Sequence, residues 1–245
     1  MKPIVDYILS CIYVFLFSLF LLIFHPIQLI TFHLFGPKAH QNTVHLLNFF
    51  LLYSVYCTGS SLHFEQKVEI PEGRPIIFVS NHQSMFDIIG IIWYLRKYYP
   101  IFVSKQELAK NIPSISLNLR LSGAALIDRK DSRQAVPEIT RMAKVALQRN
   151  FSPVIFPEGT RSKTDELKPF AIGGLAILLK YIPNAIIMPI AIKGNNKLNP
   201  KGFFPLMSFS KLKFTSLEPV DPKGLTSEAI TYKIEQMIKA ENGIQ

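Results

Sequence analysis

Two regimes of hydrophobic patterning divide the chain. From Tyr7 to Gly36 there is no Asp, Glu, Lys or Arg, and Ile8 to Phe24 is almost wholly Ile, Leu, Val, Phe and Tyr. This reaches the roughly 20 apolar residues that cross a bilayer core. A second apolar run, Leu46 to Cys57, is shorter, nearer the length of an interfacial or re-entrant helix. Phe35-Gly36-Pro37-Lys38 between them is a turn signal. Residues 1–62 are therefore expected to form a helical hairpin, embedded in a membrane or lying on it. Two readings compete. A cleaved secretory signal wants a shorter apolar core and a small-residue cleavage site, but Pro26 follows the run and no such site is found. A helix pair inside a soluble core has to accommodate 30 residues without charge.

Beyond a boundary between Leu62 and Pro75 the pattern changes. Short β-rich runs recur at Ile76 to Val79, Ile101 to Val103, Ala124 to Ile127, Val154 to Phe156 and Ile186 to Ile190. Between them lie helical patterns, such as Val136, Ile139, Ala143 and Leu147 within residues 132–150, with Ser132 placed to cap the first turn. Ser227 to Ala240 reads as a closing amphipathic helix. Strands alternating with helices predict an α/β fold over residues 63–245: a layered, mixed and partly parallel sheet flanked by helices.

Charge sharpens the division. The protein has 245 residues and a formal net charge of +10, yet residues 1–64 carry only Lys2, Asp6 and Lys38. A basic body behind an apolar head fits an anionic partner: a phosphorylated small molecule, an anionic membrane surface or a nucleic acid. The cations form no basic arm and no nucleic-acid motif is present, which disfavours the last. With two cysteines, Cys11 and Cys57, both ahead of the body, a disulfide framework, a thiol nucleophile and a Cys-based metal site are all without material.

The histidines narrow the chemistry. Of six, His25, His33, His40, His45 and His63 lie in the head or just beyond it and only His82 lies well inside the α/β body, so an imidazole base there is expected to be His82. It stands in Ser80-Asn81-His82-Gln83-Ser84-Met85-Phe86-Asp87, where a β-rich run gives way to a helical pattern. A carboxylate holding one ring nitrogen's proton leaves the other nitrogen free to accept a proton from a hydroxyl. Positions five apart on a regular helix diverge by about 140°. The pair can meet only if His82 precedes the first full turn. The bland alternative is a helix start capped by Ser80 or Asn81, with Asp87 stabilising its first turn. A second constellation, Phe156-Pro157-Glu158-Gly159-Thr160-Arg161-Ser162, follows another β-rich run. There Gly159 permits close backbone approach and Arg161 offers a forked donor suited to phosphate.

Together the two motifs resemble the glycerolipid acyltransferase family that includes the lysophosphatidic acid acyltransferases. The resemblance covers about residues 70 to 220. Val103 to Leu108 is similar to the family's lysine-containing segment, Gly123 to Arg129 to its second block, and Met188-Pro189-Ile190 to its fourth. Ala124-Ala125 stands where a bulkier residue is common, which bears on acceptor selectivity. The resemblance implies that His82 and Asp87 are the catalytic pair. It places the contacts to the acceptor phosphate on Arg129, Glu158, Gly159, Thr160 and Arg161, with Lys105 a weaker member. Backbone donors near Gly159 are candidates for stabilising the oxyanion. Lys97, Lys110 and Lys168 are expected to be solvated or to face lipid headgroups.

The implied reaction carries a fatty acyl group from acyl-CoA or acyl carrier protein to the sn-2 hydroxyl of 1-acylglycerol 3-phosphate, giving phosphatidic acid. It needs no resident cofactor and no metal. The implied partners are the membrane lipid acceptor, the bilayer and the thioester donor, with the α/β body on the cytoplasmic face. Competing readings are acylation of glycerol 3-phosphate or another lysophospholipid, and a non-catalytic anionic-lipid binder. A serine hydrolase lacks its nucleophile elbow, since no G-x-S-x-G occurs.

Overall fold

The computed structural model describes residues 2–128 and 131–244. Its first element, α1 (Lys2–Tyr53), breaks at Gly36, which takes φ 82° and ψ −174°. Only glycine adopts that conformation without strain, and Pro37 adds no N–H to be satisfied. The two arms, residues 2–35 and 37–53, fold back on one another. Phe24 and Phe50 approach to 5.8 Å between ring centroids, and Thr43 Oγ1 donates to Thr31 Oγ1 at 3.2 Å. The second arm begins at residue 37, well before the apolar run at Leu46, and its polar residues are buried: His40 against Phe32 and Thr43 against Thr31 of the first arm, Gln41 against Asn118 of the body.

The first arm inverts the polarity of an ordinary surface helix. Its buried stripe includes Asp6, Ser10 and Gln28 beside Tyr13, Phe17, Leu21 and Phe24. Its outer face presents Ile8, Ile12, Phe15 (66% exposed), Leu22 (61%) and Leu34 (70%). Continuous exposed apolar surface of this kind marks an interaction with membrane or partner. The arm is also tied down along its length. Asp6 Oδ1 accepts from the Ser208 N–H, and Ser114 Oγ donates to the Leu21 carbonyl while its N–H donates to His25 Nδ1. Residues 6 to 25 of a helix cover about 29 Å.

Among the described residues, seven strands form one sheet in the order β1-β7-β6-β2-β5-β3-β4. They are β1 (Ser61–Gln66), β2 (Ile76–Ser80), β3 (Pro100–Lys105), β4 (Ala125–Ile127), β5 (Ser152–Ile155), β6 (Ile186–Lys193) and β7 (Lys211–Ser216). The strands from β6 to β4 run parallel, β7 is antiparallel to β6, and β1 is parallel to β7. The central strands β2 and β5 are buried throughout, as a parallel sheet covered on both faces requires. On one face lie the hairpin, α2 (Phe86–Tyr94) and α3 (Ile115–Leu121); on the other lie α4 (Ser132–Arg149), α5 (Ile172–Tyr181) and α7 (Ser227–Asn242). A single turn, α6 (Asn195–Leu198), follows β6.

Two local expectations are corrected. Asp131, not Ser132, caps α4, its carboxylate accepting from the Arg133 and Gln134 N–H groups. The buried stripe of α4 is Ile139, Met142, Ala143 and Ala146, while Val136 and Leu147 are half exposed. Strands β1 and β7 were not predicted, although Lys211-Leu212-Lys213-Phe214 alternates as an edge-side strand does.

Candidate active site

The parallel strands all deliver their carboxyl ends to one edge of the sheet, where α/β folds place their ligands. Lys105 ends β3, β4 ends two residues before Arg129, the Pro157 to Ser162 loop follows β5, and His82 follows β2. Arg129 itself lies outside the described residues. Residues 81–85 form no regular structure, so His82 precedes the first turn of α2 and the geometric demand of the sequence is met. Asn81 fixes this exit: its Nδ2 donates to the Ile192 carbonyl and its Oδ1 accepts the Ile192 N–H, both at 2.8 Å.

Asp87 is fully buried. Its Oδ2 accepts from His82 Nδ1 at 2.8 Å, from the Gln83 N–H at 2.6 Å and from the Ser84 N–H at 2.8 Å. Its Oδ1 accepts from Asn195 Nδ2 at 2.7 Å. Such a donor set satisfies the lone pairs of a buried carboxylate. An ionised carboxylate only accepts, so the His82 proton sits on Nδ1 and the lone pair on Nε2. The His82 ring stacks on Phe156 at 4.2 Å and is 5% exposed, and its Nε2 has no hydrogen-bond partner among the described residues. Ser84 is no nucleophile: its buried Oγ accepts from the Phe86 N–H.

The second motif grips His82 by its backbone. Glu158 Oε1 accepts the His82 N–H at 2.6 Å, and the His82 carbonyl accepts the Ser162 N–H at 2.7 Å. Glu158 Oε2 takes the Lys168 N–H at 3.1 Å. Both Glu158 oxygens are therefore engaged, and it braces the loop where a phosphate-contacting role was expected of it. Gly159 turns the loop at φ 68°, and its N–H donates to the Phe156 carbonyl at 3.0 Å, which removes that amide from the oxyanion candidates. Lys168, expected to be solvated, donates through Nζ to Thr160 Oγ1 and to the Arg161 carbonyl, both at 2.9 Å. Thr160 and Arg161 are exposed, and the Arg161 guanidinium has no partner among the described residues. Lys105 is likewise exposed at the same sheet edge, with β5 between its strand and β2.

The model of the acyltransferase family matches residues 61–193. The chain belongs to the acyltransferase family. Its members among the curated proteins include the mouse 1-acyl-sn-glycerol-3-phosphate acyltransferase alpha, 28% identical over 187 residues, which are 76% of this chain and 64% of that one. The chloroplast enzyme LPAT1 of Arabidopsis thaliana is 27% identical over 201 residues, 82% of this chain and 53% of its own. This acyltransferase-family chain thus spans between half and two thirds of those relatives' lengths. The crystal structure of the 1-acyl-sn-glycerophosphate acyltransferase PlsC from Thermotoga maritima superposes with a TM-score of 0.82 at 25% identity, covering 99% of this chain and 97% of the other. The match bears out the family resemblance and the mixed, mainly parallel fold.

Burial pushes the Glu158 carboxyl up to about 7; the backbone donors of His82 and Lys168 oppose this, and the Asp87 charge adds to it. Between the ordinary Glu value and about 7 the folded chain keeps a proton that the unfolded chain has released. The stability this confers is full below that window and lost as pH rises through it, by at most about 1.4 kcal/mol per pH unit. Denaturant unfolding across pH 5 to 8, for wild type and Glu158→Gln, is expected to give a stability difference that changes through this window. A difference independent of pH refutes the shift.

Proposed function

We propose that the protein is a 1-acyl-sn-glycerol-3-phosphate acyltransferase. It transfers a fatty acyl group from a thioester, on coenzyme A or acyl carrier protein, to the sn-2 hydroxyl of lysophosphatidic acid. The observation that carries this reading is the His82–Asp87 pair, its Nε2 uncommitted, joined through the His82 backbone to the loop bearing Arg161. The relatives' names support the same substrate.

In the mechanism, His82 Nε2 takes the hydroxyl proton as the acceptor oxygen attacks the thioester carbonyl. Asp87 stabilises the imidazolium that forms. Collapse of the tetrahedral intermediate breaks the C–S bond, and the departing thiolate recovers the proton from Nε2. No acyl-enzyme forms. Thioesters are already activated, so orientation and a base supplying roughly 10²- to 10⁴-fold account for the acceleration. Arg161 holds the acceptor phosphate by charge-assisted hydrogen bonds, with Lys105 at the same sheet edge as a further cation.

The outward apolar stripe of the first arm supports membrane association. Because that arm is tied to the body from Asp6 to His25, it lies along the bilayer surface and holds the site at headgroup depth. Thioester donors are made in the cytoplasm, and the body faces it.

The test is acyl transfer by detergent-purified protein to lysophosphatidic acid, glycerol 3-phosphate, lysophosphatidylcholine and monoacylglycerol. Lysophosphatidic acid is expected to be the best acceptor, and absence of transfer to any of them overturns the reading. Arg161→Ala is expected to raise KM for lysophosphatidic acid about 10- to 100-fold, the worth of a charge-assisted contact, with little change in kcat or in use of monoacylglycerol. Unchanged KM removes Arg161 from the phosphate site.

A further inference from the structure

Asn195 lies 108 residues from Asp87 in sequence and opens α6 at the carboxyl end of β6. Its backbone is pinned from behind. Gly194 has φ 84°, and a β-carbon there would run into the Lys211 carbonyl oxygen of the neighbouring strand. The Asn195 N–H donates to Gln83 Oε1 at 3.0 Å, and its Nδ2 donates to Asp87 Oδ1 at 2.7 Å. Gln83 in turn gives its own N–H to Asp87 Oδ2. Asn195, Gln83 and Asp87 therefore close a ring that grips both carboxylate oxygens.

The side chain's own accounting is incomplete. Asn195 is fully buried, and its Oδ1 has no partner among the described residues. A buried carbonyl left unpaired is costly and calls for a reason. Turning the amide over would set two acceptors against each other at Asp87. The orientation is thus dictated by the carboxylate's need for a donor.

We propose that Asn195 is a positioning residue of the catalytic pair. It anchors Asp87 Oδ1 so that Oδ2 stays on His82 Nδ1, and its dipole partly offsets the Asp87 charge that His82 senses. It does not touch the acceptor or the donor. The inference rests on the acyltransferase reading for its effect on turnover, and on the hydrogen bonds alone for its effect on the imidazole.

Asn195→Asp is nearly isosteric and separates positioning from bulk. While protonated, the new carboxyl donates to Asp87 Oδ1 as the amide did. Once ionised, it sets two carboxylates face to face, and the pair resists holding both charges. The ratio of variant to wild-type kcat is expected to stay within about threefold at the acid end of the measurable range. It then falls about 10- to 100-fold through one ionisation, the range for loss of a residue that orients a histidine's partner. The titratable groups facing Asp87, His82 and Glu158, are common to both proteins and cancel in the ratio. Asn195→Ala is expected to lower kcat to a similar extent with a ratio lacking that ionisation, and with KM for lysophosphatidic acid within about threefold.

A readout independent of turnover is the ring ¹⁵N titration of His82, its signals identified by their loss in His82→Ala. In Asn195→Asp the imidazole pKa is expected to rise, because a second negative charge has entered its surroundings. A pH-independent kcat ratio together with an unaltered His82 titration overturns the proposal. Should wild type transfer no acyl group to any acceptor, the functional reading falls, and the titration still decides the role of Asn195.

Discussion

His82→Ala is expected to lower kcat for acyl transfer by about 10²- to 10⁴-fold, the contribution of a positioned general base, while KM for both substrates stays within a few-fold. The only other imidazole of the body, His63, lies in β1 at the far side of the sheet, and no thiol follows Cys57, so neither is placed to replace it. The loss should come without collapse of the fold. Removing the ring leaves Asp87 Oδ2 with the Gln83 and Ser84 N–H groups and Oδ1 with Asn195, so the carboxylate remains paired. Backbone bonds from His82 to Glu158 and Ser162 do not need the side chain. Steady-state kinetics beside a thermal melt are the check. A variant that melts like wild type and turns over within tenfold of it removes His82 from the chemistry.

Asp87→Asn is expected to be as damaging to turnover, about 10³- to 10⁴-fold by analogy with the same change beside a catalytic histidine elsewhere, but for two reasons. The imidazolium formed on proton transfer loses its counter-charge. The neutral amide also weakens the bonds gathered around the carboxylate: with its oxygen in the Oδ2 place it receives the His82 Nδ1 and two backbone N–H groups without a charge, and its NH₂ is accepted only if the Asn195 amide turns over. Each charge-assisted bond weakened in a fully buried pocket costs about 1.5–3 kcal/mol. A stability loss of about 2–3 kcal/mol is therefore expected here and not for His82→Ala. Denaturant unfolding of both variants separates the cases, and combining them should cost little more turnover than either alone. Equal stability for Asp87→Asn and wild type contradicts the hydrogen-bond account.

The part of this site that a sequence displays is the part built from near neighbours. His82 and Asp87 lie within one strand-to-helix junction, and no other histidine follows His63 to rival it. The loop at residues 156–162 was visible because its residue types are unusual together. Its internal roles were not. Whether Glu158 faces a ligand or two backbone amides depends on His82 and Lys168, which only the folded chain brings to it. Lys168 reads as any surface lysine until its ammonium is seen clipping the loop. Asn195 gave no signal beyond a Gly-Asn-Asn turn after a strand, since its partner is fixed by the pairing of β2 with β6. The five parallel strands were legible as continuous apolar runs. β1 and β7 were not, because Glu65 in the one and Lys211 and Lys213 in the other interrupt the apolar run.

On the proposed membrane-bound reading, the inward stripe of the first arm limits how the protein could be detached from lipid. Tyr13 packs on Phe86 at 5.7 Å between ring centroids, one residue from Asp87. Truncating the hairpin would therefore strip the packing from α2 along with the outward apolar surface. A water-soluble form has to be reached by recoding outward positions such as Ile8, Ile12, Phe15 and Leu22 with hydrophilic side chains, leaving the inner seam untouched.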